Sequence, residues 1–256
     1  MARYKLILAY DGAAFAGSQR QASDARSRTG KRRTVQGELE LALRALGWQA
    51  RSVLLAGRTD AGANASGQVA AVDLEWKHSA EALRDALNAR LPFEIAVKDV
   101  RAVETSFHPR FDATSRRYRY SLFCQHVRDP LRERFAWRVW PSFEPEALIG
   151  NARCLLGSHD FAAFGSAPVR KAGTVRTVTI AEWKQASPPD QWQFEVAADA
   201  FLYRMVRRLV FVQVAVAQGR CSRDAMLMAL DRGAEADGLP AGLAPAHGLE
   251  LIQVDY

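Results

Sequence analysis

The chain is short of the groups that hold metals or staple small secreted folds. Among its 256 residues are three cysteines, Cys124, Cys154 and Cys221, too far apart for a C-x-x-C site and odd in number. A zinc ribbon and a full disulfide framework are both excluded, and a reducing compartment is the default. The five histidines are dispersed and there is no glycine-rich phosphate loop, which removes the usual signatures of metal-centred and nucleotide-driven chemistry. The longest apolar stretch, Leu209 to Ala217, is interrupted by Gln213 and falls short of the about 20 residues that a membrane span needs. The amino terminus, Met1-Ala-Arg-Tyr-Lys, enters a strand-like pattern without a signal-type apolar core. These absences predict a cytoplasmic protein with no membrane segment. No short-period repeat is present.

What is there describes a folded, basic protein. Hydrophobic residues make up 48% and charged residues 25%, as in ordinary globular domains, so the length suits one large domain or two small ones. The formal net charge of +7 favours a polyanionic partner such as nucleic acid or an anionic membrane surface. Much of that excess lies in one place: between Arg20 and Arg33 stand Arg20, Arg26, Arg28, Lys31, Arg32 and Arg33 against Asp24 alone. Such a run is also what a solvated surface loop looks like.

Apolar spacing and punctuation give the elements. Tyr4 to Tyr10 reads as a strand stopped by Asp11-Gly12. Val35, Leu39, Leu43 and Leu46 share a helical face behind Thr34 as N-cap, with Gly47 as the stop. Val53 to Ala56 and Gly67 to Leu74 read as strands around a turn-rich loop, residues 57–66, and Ser79 caps a helix with Leu83, Leu87 and Leu91 that Pro92 ends. Further strands are expected at Ile95 to Val103, Arg116 to Phe123, Val175 to Trp183 and Trp192 to Ala197, and helices at Glu144 to Leu156 and Phe201 to Gln218. Strands interleaved with two helices in each half predict an α+β chain: two α/β sandwiches, RRM-like or ferredoxin-like, with largely antiparallel sheets, divided as 1–105 and 106–256.

One segment carries a chemical signal, Gly57-Arg58-Thr59-Asp60-Ala61-Gly62-Ala63-Asn64-Ala65. Small residues surround one carboxylate and one guanidinium, so the backbone turns tightly and another molecule can approach Asp60. Asp-Ala-Gly alone is also a common turn in which the aspartate bonds its own backbone. In the strand Arg116 to Phe123, alternation puts Tyr118 and Tyr120 on one sheet face, where aromatics are ordinarily core. On the last long helix Arg204 and Arg208 share a side and Arg207 projects elsewhere, unless all three simply face solvent.

The Asp60 segment resembles the active-site loop of the A-type tRNA pseudouridine synthases, the TruA family, whose pattern reads G-R-T-D-A-G-V-H-A. The resemblance continues in order through Gly17–Gln21, Thr34–Glu40, Phe107–Tyr120, Gly157–Phe161, Phe201–Arg207 and Ala244–Leu249. It implies the pseudouridine synthase fold and an isomerase that detaches uracil from its ribose, rotates it and rejoins it through carbon 5, with neither metal nor organic cofactor. By resemblance the targets are uridines 38, 39 and 40 in the anticodon arm of tRNA, and the protein is a homodimer. Asp60 is then the catalytic carboxylate and Arg207 the arginine that keeps it charged. Tyr118 stacks on the target base, and Leu249 lines the other side of the pocket. Arg58 serves base flipping and RNA contact, its alternative being a second charge partner for Asp60. Gln19, Arg20 and the basic stretch with Lys31, Arg32 and Arg33 touch the RNA backbone, positioning it without reading sequence.

Three departures stand out. Ser18 replaces a tryptophan common in the family, a loss expected to remove packing or stacking beside the RNA. Asn64 replaces a histidine and cannot carry charge, and the stretch 22–33 is longer and more basic than usual. None touches Asp60, Tyr118 or Arg207. The rival reading is a non-catalytic RNA-binding protein of the same fold, against which stands that complete set.

Overall fold

The computed structural model describes residues 1–20, 32–167, 173–233 and 237–256. The chain forms two compact units, Met1–Thr114 with Glu250–Tyr256, and Ser115–Leu249. The division anticipated between 105 and 106 lies a few residues ahead of this one, and the final strand, counted there with the second half, packs with the first.

In the first unit, β1 (Ala2–Tyr10) alternates outward and buried residues and lies between two antiparallel neighbours. These are β3 (Asn64–Leu74) and β4 (Ile95–Val103), while the two-residue β2 (Leu54–Leu55) pairs β3 on its other side. The last strand, β10 (Leu249–Asp255), joins β3 in parallel through Glu250 opposite Asn64 and Leu251 opposite Ala65. Its backbone comes so near that a Cβ at Gly67 would stand 2.1 Å from the Ile252 carbonyl oxygen, which reserves that place for glycine. Helix α1 (Val35–Arg44) starts where expected, with the Thr34 hydroxyl accepting from the Gly37 amide at 3.2 Å. Helix α2 (Ala80–Asn88) is capped by Ser79 and packs on β4. Leu6, Leu8, Leu39, Leu43, Leu83 and Leu87 are fully buried and make the core.

The second unit is a sheet in the order β6-β5-β9-β8-β7, from β5 (Ser115–Cys124), β6 (Trp137–Val139), β7 (Gly157–Asp160), β8 (Val175–Gln185) and β9 (Gln191–Ala198). Only β5 and β6 run parallel. Helix α3 (Pro145–Arg153) packs on β8 and on α4 (Met205–Ala217), and α5 (Arg223–Arg232) packs on β7. Gln213, the residue that interrupts the apolar run of α4, is fully buried and accepts from the Trp183 indole at 2.9 Å. The observed class is α+β with largely antiparallel sheets, as expected.

Two differences have local causes. Helix α4 begins four residues later than its apolar pattern suggests, because Tyr203 pairs as an isolated bridge with Ser166 and Arg204 takes a left-handed conformation, φ 63°. Helix α5 went unread although Ser222 accepts from the Ala225 amide at 3.1 Å as an ordinary cap. Among the described residues no helix is long and apolar enough to cross a membrane.

Candidate active site

Asp60 sits in the loop between β2 and β3 of the first unit. Both ends of that loop are tied to β3 or its neighbours: the Ala56 amide donates to the Val69 carbonyl at 2.9 Å, and the Asn64 side-chain oxygen accepts from the Gly12 amide at 2.8 Å. Gly12 lies against the loop, where a Cβ would come within 2.1 Å of the Ala63 carbonyl oxygen. Gly62 turns the chain at φ 81°, and the Ala63 amide reaches back to the Asp60 carbonyl at 3.1 Å. Asp60 itself is half-buried.

Thr59, the residue before the carboxylate, is held at every polar atom. Its amide donates to Ser18 Oγ at 2.8 Å and its carbonyl accepts from the Ser18 amide at 3.2 Å. Its hydroxyl meets the Tyr10 hydroxyl at 2.9 Å. Gln68 on β3 donates from Nε2 to the Tyr10 oxygen at 3.3 Å and to the Gly57 carbonyl at 3.0 Å. Either hydroxyl of the Tyr10–Thr59 pair can donate to the other. Burial pushes the Tyr10 pKa up, against the smaller lowering effect of its hydrogen bonds, so the phenol keeps its proton. Ser18 is fully buried and faces Thr59; the position expected to stack beside RNA instead braces the loop from inside.

The expected RNA-contacting residues separate into two groups. Arg58 is exposed, and its Nε donates to the Gln19 side-chain oxygen, so these two come together beside Asp60 in the chain. Arg20 and Arg33 are instead engaged with carboxylates. Arg20 Nη1 donates to Glu40 Oε2 at 2.8 Å, and Glu40, fully buried on α1, also accepts from the Gln36 side chain at 2.9 Å and the Val53 amide at 3.2 Å. Arg33 bonds Glu38 at 2.9 Å and Glu94 at 3.2 Å and lies over the Phe15 ring. Its pKa is raised by Glu94 first and Glu38 second. Arg32 is exposed, and Lys31 falls outside the described residues, as does most of the basic stretch 22–33.

The second unit holds Tyr118, Arg207 and Leu249. Tyr118 on β5 is 8% exposed, with its ring edge-on to Phe201 at 5.0 Å, and Tyr120 on the same face is fully buried. Arg207 on α4 donates from Nε to the Ala244 carbonyl at 2.7 Å, and the Ala244 amide returns a bond to the Arg207 carbonyl at 3.2 Å. The Tyr120 hydroxyl donates to the Pro245 carbonyl at 2.8 Å. A 3-10 turn, Ala246–Gly248, leads from there into Leu249, which is buried at the start of β10. The segment 244–249 thus rests on Arg207 at one end and on the tyrosine strand at the other. Arg204, being outside the helix, does not share a helical side with Arg208 as the periodicity implied. Arg208 is drawn to the loop, donating to the Gly242 carbonyl at 3.0 Å.

Sequence reading missed Tyr10, Thr59 and Gln68. Their bonds join residues far apart in the chain, which no periodicity reports. The one available sign was Gln68, a large polar residue amid the small and apolar side chains of β3. Among the described residues no cluster of His, Cys, Asp and Glu is placed to hold a metal ion.

A sequence profile described as tRNA pseudouridine synthase matches residues 152–256. The chain is 39% identical to a tRNA pseudouridine synthase A of Chloroflexus aurantiacus over 98% of its own length and 87% of that protein. It is 39% identical to a protein of the same name from Solidesulfovibrio magneticus, covering all of this chain and 92% of the relative. With the one from Xanthobacter autotrophicus it shares 37% identity over the full length of both. A chain of a solved Cbf5-Nop10-Gar1 complex aligns with 84% of this one and 44% of itself at 12% identity and a TM-score of 0.38, too distant to bear on the fold.

Proposed function

The chain belongs to the tRNA pseudouridine synthase A family, and from that premise we propose that it isomerises uridines 38, 39 and 40 in the anticodon stem-loop of tRNA. The observation that carries the reading is 39% identity sustained over 98% of the chain to a synthase of that name. In the reaction the bond from N1 of uracil to C1′ of the ribose breaks and one from C5 to C1′ forms. The C5 proton is lost and N1 gains one, so composition and oxidation state are unchanged.

Asp60 is the group proposed to act on the nucleotide. Its carboxylate oxygen supplies the negative charge that the chemistry needs, whether by bonding to the nucleotide or by facing a positive ribosyl centre. The small residues on either side of it leave room for a base taken out of the helix. Arg58, exposed and bonded to Gln19, is the cation proposed to hold the displaced backbone. From the second unit we assign Tyr118 to stacking on the base, worth about 1–3 kcal/mol, Leu249 to the apolar wall, and Arg207 to keeping the carboxylate charged. Arg32 and Lys31 are assigned to the RNA backbone. Arg20 and Arg33 would join them only by sharing their present carboxylate partners.

The same reading places the protein in the cytoplasm as a homodimer that needs no cofactor. Leu131, Phe135 and Trp140 of the second unit, all exposed, offer apolar surface of the kind a second copy covers. A purely RNA-binding protein would have no use for a carboxylate set where a polyanion must come close.

The test is release of tritium from C5 of uridine in unmodified tRNA, by the wild-type protein and by Asp60→Asn. Wild type should release it and the variant should not, while both bind tRNA. Full activity in the variant would overturn the assignment of Asp60.

A further inference from the structure

The bonds around Thr59 form a chain whose purpose is not packing. Four polar side chains, Ser18, Thr59, Gln68 and Tyr10, are each buried, 8% exposed or less, and are joined by hydrogen bonds. Burying that many polar groups in one place costs stability unless each is satisfied, and an apolar set of similar shape would serve a core at least as well. Apart from the bond that joins Gln68 to Tyr10, these bonds end on Gly57 or Thr59, the residues at three positions and one position before Asp60. Of the four, Thr59 lies in the loop and the other three lie outside it.

We propose that Tyr10 and Ser18, braced by Gln68, are positioning residues that set the direction of the Asp60 carboxylate by fixing all three polar groups of Thr59. This rests on the catalytic reading of Asp60 given above. The Thr59 amide belongs to the 58–59 peptide and its carbonyl to the 59–60 peptide, so the two bonds to Ser18 hold both planes that meet at the Thr59 Cα. With the Thr59 side chain also fixed to Tyr10, the Cα–Cβ vector of the next residue is set before substrate arrives. Ser18 has a particular part in this chain. An indole can only donate, so the tryptophan common at this position in the family could not accept from the Thr59 amide. The serine hydroxyl does, at 2.8 Å.

A double-mutant cycle on Tyr10→Phe and Thr59→Val tests the proposal, because each substitution removes one partner of the Tyr10–Thr59 bond with little change of shape, Tyr10→Phe also taking from Gln68 one of its two acceptors. Each variant should lose about 10- to 100-fold in kcat, the scale expected for a reacting group displaced by a fraction of an ångström. KM for tRNA should stay within about twofold, since neither side chain is placed to touch it. The double variant should be no slower than the slower single, and Thr59→Ser should recover most of the rate. Asn88→Ala is the control for mere destabilisation. It removes a side chain-to-backbone tie in the same unit, where the exposed Asn88 bonds both the carbonyl and the amide of Val97 at 2.9 and 2.8 Å, and should leave kcat unchanged.

Amide exchange of the free protein gives a readout that needs no turnover. The Thr59 and Asp60 amides should exchange faster in Tyr10→Phe and Thr59→Val than in wild type, and not in Asn88→Ala. Wild-type kcat in Thr59→Val, or unchanged exchange at Thr59, overturns the proposal. A wild-type protein that releases no tritium but shows the predicted exchange pattern overturns the catalytic reading instead and leaves the clamp standing.

Discussion

A tyrosine hydroxyl ties down a loop in each unit, and the two ties differ in what they hold. Tyr10 reaches a side chain, the Thr59 hydroxyl, at 2.9 Å, while Tyr120 reaches the backbone carbonyl of Pro245 at 2.8 Å. Around them the contrast continues. The 57–63 loop is braced by side chains of Ser18, Gln68 and Asn64, whereas the 244–249 segment is braced through its own carbonyls by Arg207 and Tyr120. A bond to a backbone carbonyl is indifferent to the residue that owns it. The first loop is therefore specified by residue type at Thr59, whose hydroxyl takes part, and at its supports Ser18, Gln68 and Asn64, whose side chains make the bonds. The second is specified by its supports, and by glycine where the backbone crosses Tyr120.

Substitutions can break this comparison, and the most severe should be steric. Gly12→Ala puts a Cβ 2.1 Å from the Ala63 carbonyl oxygen, and neither backbone can yield without moving the Asp60 loop. A loss of about 3 kcal/mol in denaturant unfolding is expected, at the upper end for overpacking, together with most of the activity. Gly248→Ala meets the Tyr120 ring at 2.7 Å and the Ser121 carbonyl oxygen at 2.8 Å. It should cost about 1–3 kcal/mol. If it cost as much as Gly12→Ala, the second loop would be as strictly built as the first and the contrast would fail.

Tyr120→Phe is a milder probe. It leaves the Pro245 carbonyl without its partner, which should lower stability by about 1 kcal/mol, measured in the same unfolding experiment. A loss under a few tenths would mean that water replaces the phenol, and that the second tie is weaker still than its geometry suggests.

The smallest effect expected is one of pH. The second loop contains His247, whose pKa is lowered mainly by desolvation and further by Arg207, against the raising effects of a backbone bond with Ala136 and of Glu133. The unfolded chain takes up a proton near the ordinary value of 6.5 and the folded chain resists it. Stability from this residue is thus complete above that value and declines as pH falls below it. The first loop, residues 57–63, contains no histidine. Between pH 7.5 and 5.5, values chosen to be about one unit either side of the unperturbed imidazole, amide protection relative to the intrinsic exchange rate at each pH should fall in 244–249 more than in 57–63. His247→Gln should flatten that difference, and an unchanged acid slope in this variant would sink the assignment to His247.

The same contrast explains what could be read in advance. The elements carried by local rules were legible: Thr34 and Ser79 cap the helices expected of them, Gly47 stops the first at φ 91°, and the strand Ile95–Val103 has the expected limits. The start of α4 was not, because apolar spacing carries on through Phe201 and Leu202 while a bridge to Ser166 takes that backbone away from the helix. Asp60 stood out by its setting of small residues and by resemblance. The supports of Asp60 did not, since Tyr10, Ser18 and Gln68 meet only once the chain has folded, and even Gln68, out of place amid the small and apolar residues of β3, does not say by itself what it holds. The basic run was legible as charge but not as partnership, because Glu38, Glu40 and Glu94 lie outside it and engage Arg20 and Arg33.

The last strand has a consequence for how the protein is made. Residues 115–249 form a unit of their own, and only afterwards does the chain return to lay Glu250 and Leu251 beside Asn64 and Ala65, where the Asp60 loop ends. Domains generally fold in the order in which they are synthesised, but this one is discontinuous. Its sheet stays open beside the Asn64–Ala65 end of β3 until residues 250–251 have been made. A nascent chain thereby carries an unpaired edge at the Asn64–Ala65 end of β3 through the synthesis of the whole second unit, while the bonds that hold the 57–63 loop can already form within its first 114 residues.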